Sequence, residues 1–302
     1  MSAISPVAGR AQPHTVGDGR ARARLARVGV RSIALLYLLL ILALPVLTIF
    51  FRTFESGLEP VLKAIQRPAF QSAFWLTLTI TAIAVPVNTV FGIIAALAIV
   101  RRRFPGRSFL NALIDLPFAL SPVIIGLSLI LVYGKNGWLG GLLADLGITV
   151  IFALPGMILA TLFVSLPFVV REVIPVLREI GTDAEEAAYT LGASQWRTFW
   201  RITLPAIRWG VIYGVILTTA RSLGEYGAVA VVSGKIAGKT ETLTLHVEER
   251  YLAFDLVGAY VASITLALMA ILVLLGMQLL QSGRLRRGRQ DRPLPPTTTM
   301  EF

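Results

Sequence analysis

The 302-residue chain contains no cysteine, which excludes disulfides and thiolate metal sites without assigning a compartment. It has two histidines, His14 and His246, the first in a terminal stretch. That leaves little material for a histidine-based triad or zinc site. Charge is scarce as well: 15% of residues are charged and 55% are hydrophobic. A soluble domain of this length cannot bury so much apolar surface in one core, so the chain reads as a multi-span membrane protein. It shows no G-x-S-x-G elbow, and no pair of buried carboxylates is expected from its spacing, so no enzymatic activity is expected of it. Net charge is +11, but the basic residues stand in blocks at the ends of oily runs. That pattern suits membrane topology rather than nucleic-acid binding. The stretch Gly234-Lys235-Ile236-Ala237-Gly238-Lys239-Thr240 imitates a phosphate loop, yet its glycines are three residues apart where the loop needs four.

What the chain does have is six long apolar runs: Ile33–Phe51, Ala73–Val100, Phe109–Tyr133, Val150–Val170, Ala206–Val232 and Leu256–Leu280. Each can cross about 30 Å of hydrocarbon. The first is too long for a signal-peptide core and no cleavage site is evident, so it reads as an uncleaved span. The second exceeds the needed length and holds Pro86 and Asn88, which predicts a kink or tilt. The fifth is interrupted by Arg221, Gly224 and Glu225, which predicts that its helix ends or breaks there. The expected organisation is a basic, disordered tail over 1–31, a membrane domain over 32–282 and a disordered tail over 283–302.

Lysine and arginine counts orient the spans. Twenty of the 28 fall in the tail before span one, the loops after spans two and four, and the tail after span six. Those segments are expected in the cytoplasm, with both termini inside. The segments 52–72, 134–149 and 233–255 then lie outside.

One polar interruption stands out, Glu186 to Pro205. Thr182 to Glu185 reads as a capping box before a short helix through Ala187, Ala188 and Leu191. Gly192 supplies the left-handed residue that ends it, and Ser194 can cap a second short helix carrying Trp196, Phe199 and Trp200. Pro205 suits the first turn of the next long helix. Leu191, Trp196 and Phe199 are either anchors for a partner or an apolar floor under the segment.

The spacing Glu186-Ala187-Ala188, three residues, Gly192, nine residues, Ile202-x-Leu204-Pro205 resembles the EAA loop of binding-protein-dependent ABC importer permeases, with every position filled. Ala84-Val85-Pro86-Val87-Asn88, Phe104-Pro105-Gly106-Arg107, Pro117 to Pro122, Tyr133 to Gly137 and Pro155-Gly156-Met157 resemble the sulfate and molybdate group of these permeases. Leu223 to Ala228, with Tyr226 where Phe is common, does too. Val231 to Gly234 followed by Gly238-Lys239-Thr240 is similar to W-type subunits of sulfate/thiosulfate importers. The likeness covers about residues 32–282.

The resemblance implies an all-α, six-span permease of the type I ABC importer fold in the plasma or inner membrane. Its coupling segment, 182–205, would dock on an ATPase through Glu186, Ala187, Ala188, Leu191, Gly192, Ile202, Leu204 and Pro205. The implied partners are a T-type permease, two copies of an ATPase that binds ATP and Mg, and an extracytoplasmic sulfate-binding protein. No cofactor is expected on this chain, and no nucleic acid. Molybdate, tungstate or another oxyanion is the alternative cargo. An ion-coupled secondary transporter is the alternative class, although only one run looks broken. For the anion pathway the candidates are Arg221, Glu225 and Asn88. Arg221 lies roughly 24 Å beyond Pro205 at about 1.5 Å per residue, a costly depth for an ionisable group. Arg221 and Glu225 can instead close the helix end as an i,i+4 pair. Asn88 and Asp115 can line a pathway or satisfy neighbouring backbone.

Overall fold

The structure, a computed structural model, describes residues 29–55 and 57–290. The tail expectations for residues 1–28 and 291–302 lie outside the described residues. The chain divides into two compact units, Met1–Arg52 and Thr53–Phe302. Every regular element among the described residues is helical.

Helix α1 covers Gly29–Phe54. The other elements are α2 Leu58–Gln66, α3 Pro68–Arg101, α4 Arg107–Ala119, α5 Pro122–Tyr133, α6 Gly140–Asp145, α7 Leu154–Glu179 and α8 Asp183–Thr190. They continue with α9 Gln195–Leu223, α10 Gly227–Val232, α11 Leu243–Leu252 and α12 Leu256–Gln290. Among the described residues five helices are long and apolar enough to cross a membrane, and the pair α4–α5 makes a sixth if it is one span.

The heart of the larger unit is α3, α7 and α9. Gly210 and Gly214 let α9 lie directly on α7. A Cβ at Gly214 would stand 2.8 Å from the Val169 Cα, and one at Gly210 would stand 2.9 Å from the Glu172 carbonyl oxygen. Backbones can approach this closely only where side chains are missing, and in lipid such packing replaces the hydrophobic drive. Around this seam Ala96, Ile99, Val170, Val173, Leu177 and Ile207 form an apolar cluster. A second cluster, with Ile125, Met157, Val164, Val229 and Leu245, lies nearer the α11 end.

Three local expectations change. The third run is two helices, α4 and α5, bent by 114°. Pro122 is the cause: it disfavours helical geometry in the residue before it, and Ser121 sits at φ −63°, ψ 137°. The short helix from Ser194 does not stop before the fifth span but runs into it as α9. A five-residue π-helical turn, Phe199–Thr203, precedes Leu204 and Pro205. A proline ring crowds the carbonyl four residues back and offers no N–H, and a widened turn relieves both demands. The same device appears in α1, where a π-helical turn over Leu39–Ala43 precedes Leu44-Pro45. Finally, α12 continues through residues 283–290, which the sequence assigns to a tail. The break in the fifth run is present: α9 ends at Leu223 and α10 begins at Gly227. Helix α3 stays helical through Pro86.

Candidate functional site

The 182–205 segment is built on the ends of three long helices. Helix α8 ends in a Schellman motif: the Ala193 amide donates to the Ala188 carbonyl (2.9 Å) and the Gly192 amide to that of Tyr189 (3.0 Å). Gly192 adopts φ +81°, with open space where a Cβ would point. Its requirement is therefore conformational rather than steric. Ser194 caps α9, its hydroxyl accepting from the Arg197 amide at 3.4 Å.

The expected capping box does not form. The Thr182 hydroxyl donates to the Glu186 carboxylate at 2.6 Å and caps no backbone amide. Glu185 does not reach back to Thr182, because better partners stand across the loop. Its Oε2 lies 3.0 Å from Arg101 Nε, and the two side chains are 12% and 14% exposed. Its Oε1 accepts from Thr203 Oγ1 at 2.8 Å, in the π-helical turn of α9. Arg101, the last residue of α3, also donates to the carbonyls of Leu177 (3.1 Å) and Gly181 (2.7 Å). A guanidinium there satisfies orphan carbonyls and favours the negative end of α7. One carboxylate thus binds α8 to α3 and α9, and through Arg101 to α7.

The remaining candidates divide between an inner and an outer face. Ala188 is buried, while Ile202 and Leu204 are half-buried. Glu186, Ala187, Gly192 and Pro205 are exposed. Leu191 is 88% exposed and Trp196 71%, so both point away from the chain. Phe199 is half-buried, with Trp196 and Trp200 stacked edgewise or tilted against it. A cavity of about 500 Å³ opens between the end of α3, α8 and the start of α9, lined by Leu97, Arg102, Glu186, Tyr189 and Phe199 among others.

The pathway candidates do not converge. Arg221 Nη1 lies 2.6 Å from Glu225 Oε2, the i,i+4 pair at the helix end. Glu225 is buried, and its other oxygen accepts from the Ala228 amide at 2.9 Å, which caps α10. Asn88 is buried elsewhere on α3 and donates to the Leu162 carbonyl (3.0 Å) and the Ser165 hydroxyl (2.9 Å), tying α3 to α7. Asp115 bonds neither pathway nor backbone in its main contact: Arg171 Nε donates to it at 2.7 Å, joining α4 to α7.

At the other end of α3, α11 carries a cluster that the sequence reading missed. His246 Nδ1 lies 2.8 Å from Glu241 Oε1, both side chains nearly fully buried. Glu241, His246 and Glu249 bring ligand-type atoms within 4.8 Å of one another. The Glu249 carboxyl is raised above its ordinary range, first by its hydrogen bond to Glu241 and then by burial. Arg250 donates to Glu249 at 2.8 Å. The Arg250 guanidinium supplies positive charge beside the two adjacent carboxylates, and the contacts among Glu241, His246 and Glu249 fix α11 to the segment before it. Nearby, Arg67 at the start of α3 pairs with Asp255, and Lys235 with Glu248 at 2.6 Å. The Arg67–Asp255 pair gave no sequence signal because its partners stand 188 positions apart, whereas Glu241, His246, Glu249 and Arg250 are near in sequence and only the fold shows that they meet.

Residues 88–287 match the family described as "Binding-protein-dependent transport system inner membrane component". The chain is 52% identical over 250 residues to the "Sulfate transport system permease protein CysW" of Synechocystis, covering 83% of this chain and 91% of that one. It is 49% identical over 263 residues to the Escherichia coli protein of the same name, covering 86% and 90%. The E. coli "Sulfate transport system permease protein CysT" is 40% identical over 258 residues, covering 85% and 92%. A solved bacterial alginate ABC transporter matches the fold with a TM-score of 0.71 at 18% identity, over 87% of this chain and 95% of that one. The chain belongs to the binding-protein-dependent transport system inner membrane component family, and is a multi-pass membrane permease of the ABC importer fold.

Proposed function

We propose that this chain is the permease subunit of an ATP-driven, binding-protein-dependent sulfate importer that also carries thiosulfate. The observation that carries the proposal is identity of about half to proteins named as sulfate permeases over most of both chains. Likeness to CysT at 40% supports a second, related permease as its membrane partner. Both termini and the 182–205 segment are cytoplasmic in this reading, as the charge count requires. Two ATPase subunits bind ATP and Mg, and a sulfate-binding protein delivers cargo from the other side. The chain itself binds no cofactor.

The coupling role falls to α8 and the start of α9. Leu191 and Trp196 project from a segment held firmly from behind, which suits insertion into a partner's groove. When ATP closes the ATPase pair, the segment moves and the spans reorient. Arg221, paired to Glu225 at the break between α9 and α10, contributes positive charge near the anion gate, and Asn88 holds α3 to α7.

The test is uptake of labelled sulfate into vesicles containing this chain with its partner permease, ATPase and binding protein. Uptake should require ATP, persist with a protonophore at constant ATP, and fall with excess thiosulfate. Competition by molybdate instead would move the cargo to another oxyanion. Uptake that follows the ion gradient and ignores ATP would overturn the ABC reading.

A further inference from the structure

We infer that Glu185, one residue before the Glu186-Ala187-Ala188 pattern, is the positioning residue that passes movement of α8 into the membrane-spanning helices. The inference rests on the coupling reading above and deepens it. A segment that transmits force must be joined to what it moves by contacts that do not slip. The outer face of α8 cannot serve, since Glu186, Ala187 and Leu191 are exposed. Ala188 is buried against the chain but offers a single methyl group.

Glu185 alone among the described side chains of α8 bonds two spans at once. It holds Arg101 of α3 at 3.0 Å and Thr203 of α9 at 2.8 Å. The link is charge-assisted and largely shielded from water: Oε1 accepts from both Arg101 Nη2 (3.3 Å) and Thr203 Oγ1, with Oε2 in ion-pair contact with Arg101 Nε, which makes it stronger than a surface ion pair. Arg101 in turn holds the last carbonyl-bearing turn of α7. The Thr203 end is placed in the π-helical turn ahead of Pro205, where α9 lacks the regular hydrogen-bond ladder. A pull on Glu185 therefore reaches α9 where that helix is most easily bent, while Arg101 carries it to α3 and α7.

The experiment is reconstitution of the full complex with Glu185→Ala, Glu185→Gln, Thr203→Val and Arg101→Lys. Three quantities are read: ATPase subunit retained on the permease, ATP hydrolysed, and sulfate taken up. Glu185→Ala should keep the ATPase bound and lower sulfate moved per ATP by about tenfold, the scale of a lost charge-assisted contact. Glu185→Gln keeps an acceptor for Thr203 and should retain part of the yield. Thr203→Val should lose about two- to threefold, and combined with Glu185→Ala it should lose no more than Glu185→Ala alone. Parental sulfate per ATP in Glu185→Ala, or additive losses in the double variant, would overturn the inference. Gly192→Trp in the same assay separates the two levels. If it abolishes uptake while Glu185→Ala is silent, the coupling segment stands and the role of Glu185 fails. If both are silent, the coupling reading itself fails. Should Glu185→Ala fail to assemble, Thr203→Val and Arg101→Lys carry the test, since both conserve size or charge.

Discussion

The two ends of α3 use buried charge for different purposes. At Arg101, a carboxylate ties a short helix to the spans while leaving that helix's outer face bare: Leu191 and Trp196 stay open. At Arg67, charge closes a structure on itself: Asp255 is held by Arg67, Glu241 pairs with His246, and Glu249 with Arg250, at and just before α11. The first arrangement presents a surface and the second conceals one. Loss of a residue at the first end should therefore change transport with little change in folding. At the second end the reverse is expected.

The largest effect that tests this contrast is Gly192→Trp, expected to bring uptake to background while the chain still inserts and assembles. The φ of +81° costs a residue such as tryptophan about 1–2 kcal/mol, and the indole would project into the open outer face. Gly192→Asn, a residue tolerant of that φ, should keep most uptake. Transport at the parental rate in the tryptophan variant would break the comparison.

Arg221→Ala is expected next, lowering uptake severalfold in vesicles with normal assembly. It leaves Glu225 buried without its counter-charge, which lowers the melting temperature of the assembled chain, so Arg221→Ala with Glu225→Gln should recover melting but not uptake if the positive charge serves the anion. Recovery of both would make the pair a helix-end device only.

His246→Ala should leave sulfate moved per ATP unchanged and lower the melting temperature in detergent by a few degrees, the scale of about 1–2 kcal/mol for a lost buried hydrogen bond. A large loss of transport without a change in melting would show that α11 does more than lock the fold.

The smallest effect is with pH. Glu248 lies below its ordinary value, chiefly through its hydrogen bond from Lys235. For Asp255, burial pushes upward but is outweighed by the hydrogen bonds from Arg67 and Gly258. A depressed carboxylate stabilises the fold above its unfolded value of about 4 and loses that contribution as pH falls through the folded value. Glu249 has the opposite sign: its raised value favours the fold at low pH and ceases to as pH rises through it. Melting should therefore fall below about pH 4, and Glu249→Gln should flatten the change above that. A melting profile for Glu249→Gln that matches the parent's at every pH would remove Glu249 from the account.

What was legible in the chain was whatever depends on neighbours in sequence. Six apolar runs, the turn at Gly192, the cap at Ser194 and the break at Gly224-Glu225 all follow from local spacing, propensity and hydropathy. The spacing from Glu186 to Pro205 pointed to the family before any geometry was available. Glu185 was misread because a local rule, the capping box, fitted it. Only the fold brings Arg101, 84 positions away, and Thr203, 18 away, within reach of its carboxylate. His246 looked solitary for a different reason: Glu241 is five positions away, but sequence does not show that the two meet away from water. The 114° bend at Pro122 lies between these cases. Sequence determines that a helix is disfavoured before a proline, but whether the chain bends there or passes through, as at Pro86, depends on what each half packs against: α4 against α7, and α5 against α10. Local chemistry set the elements and their caps. Long-range contacts chose the partners of the buried charges, because a charge taken out of water must find its opposite wherever the fold places it.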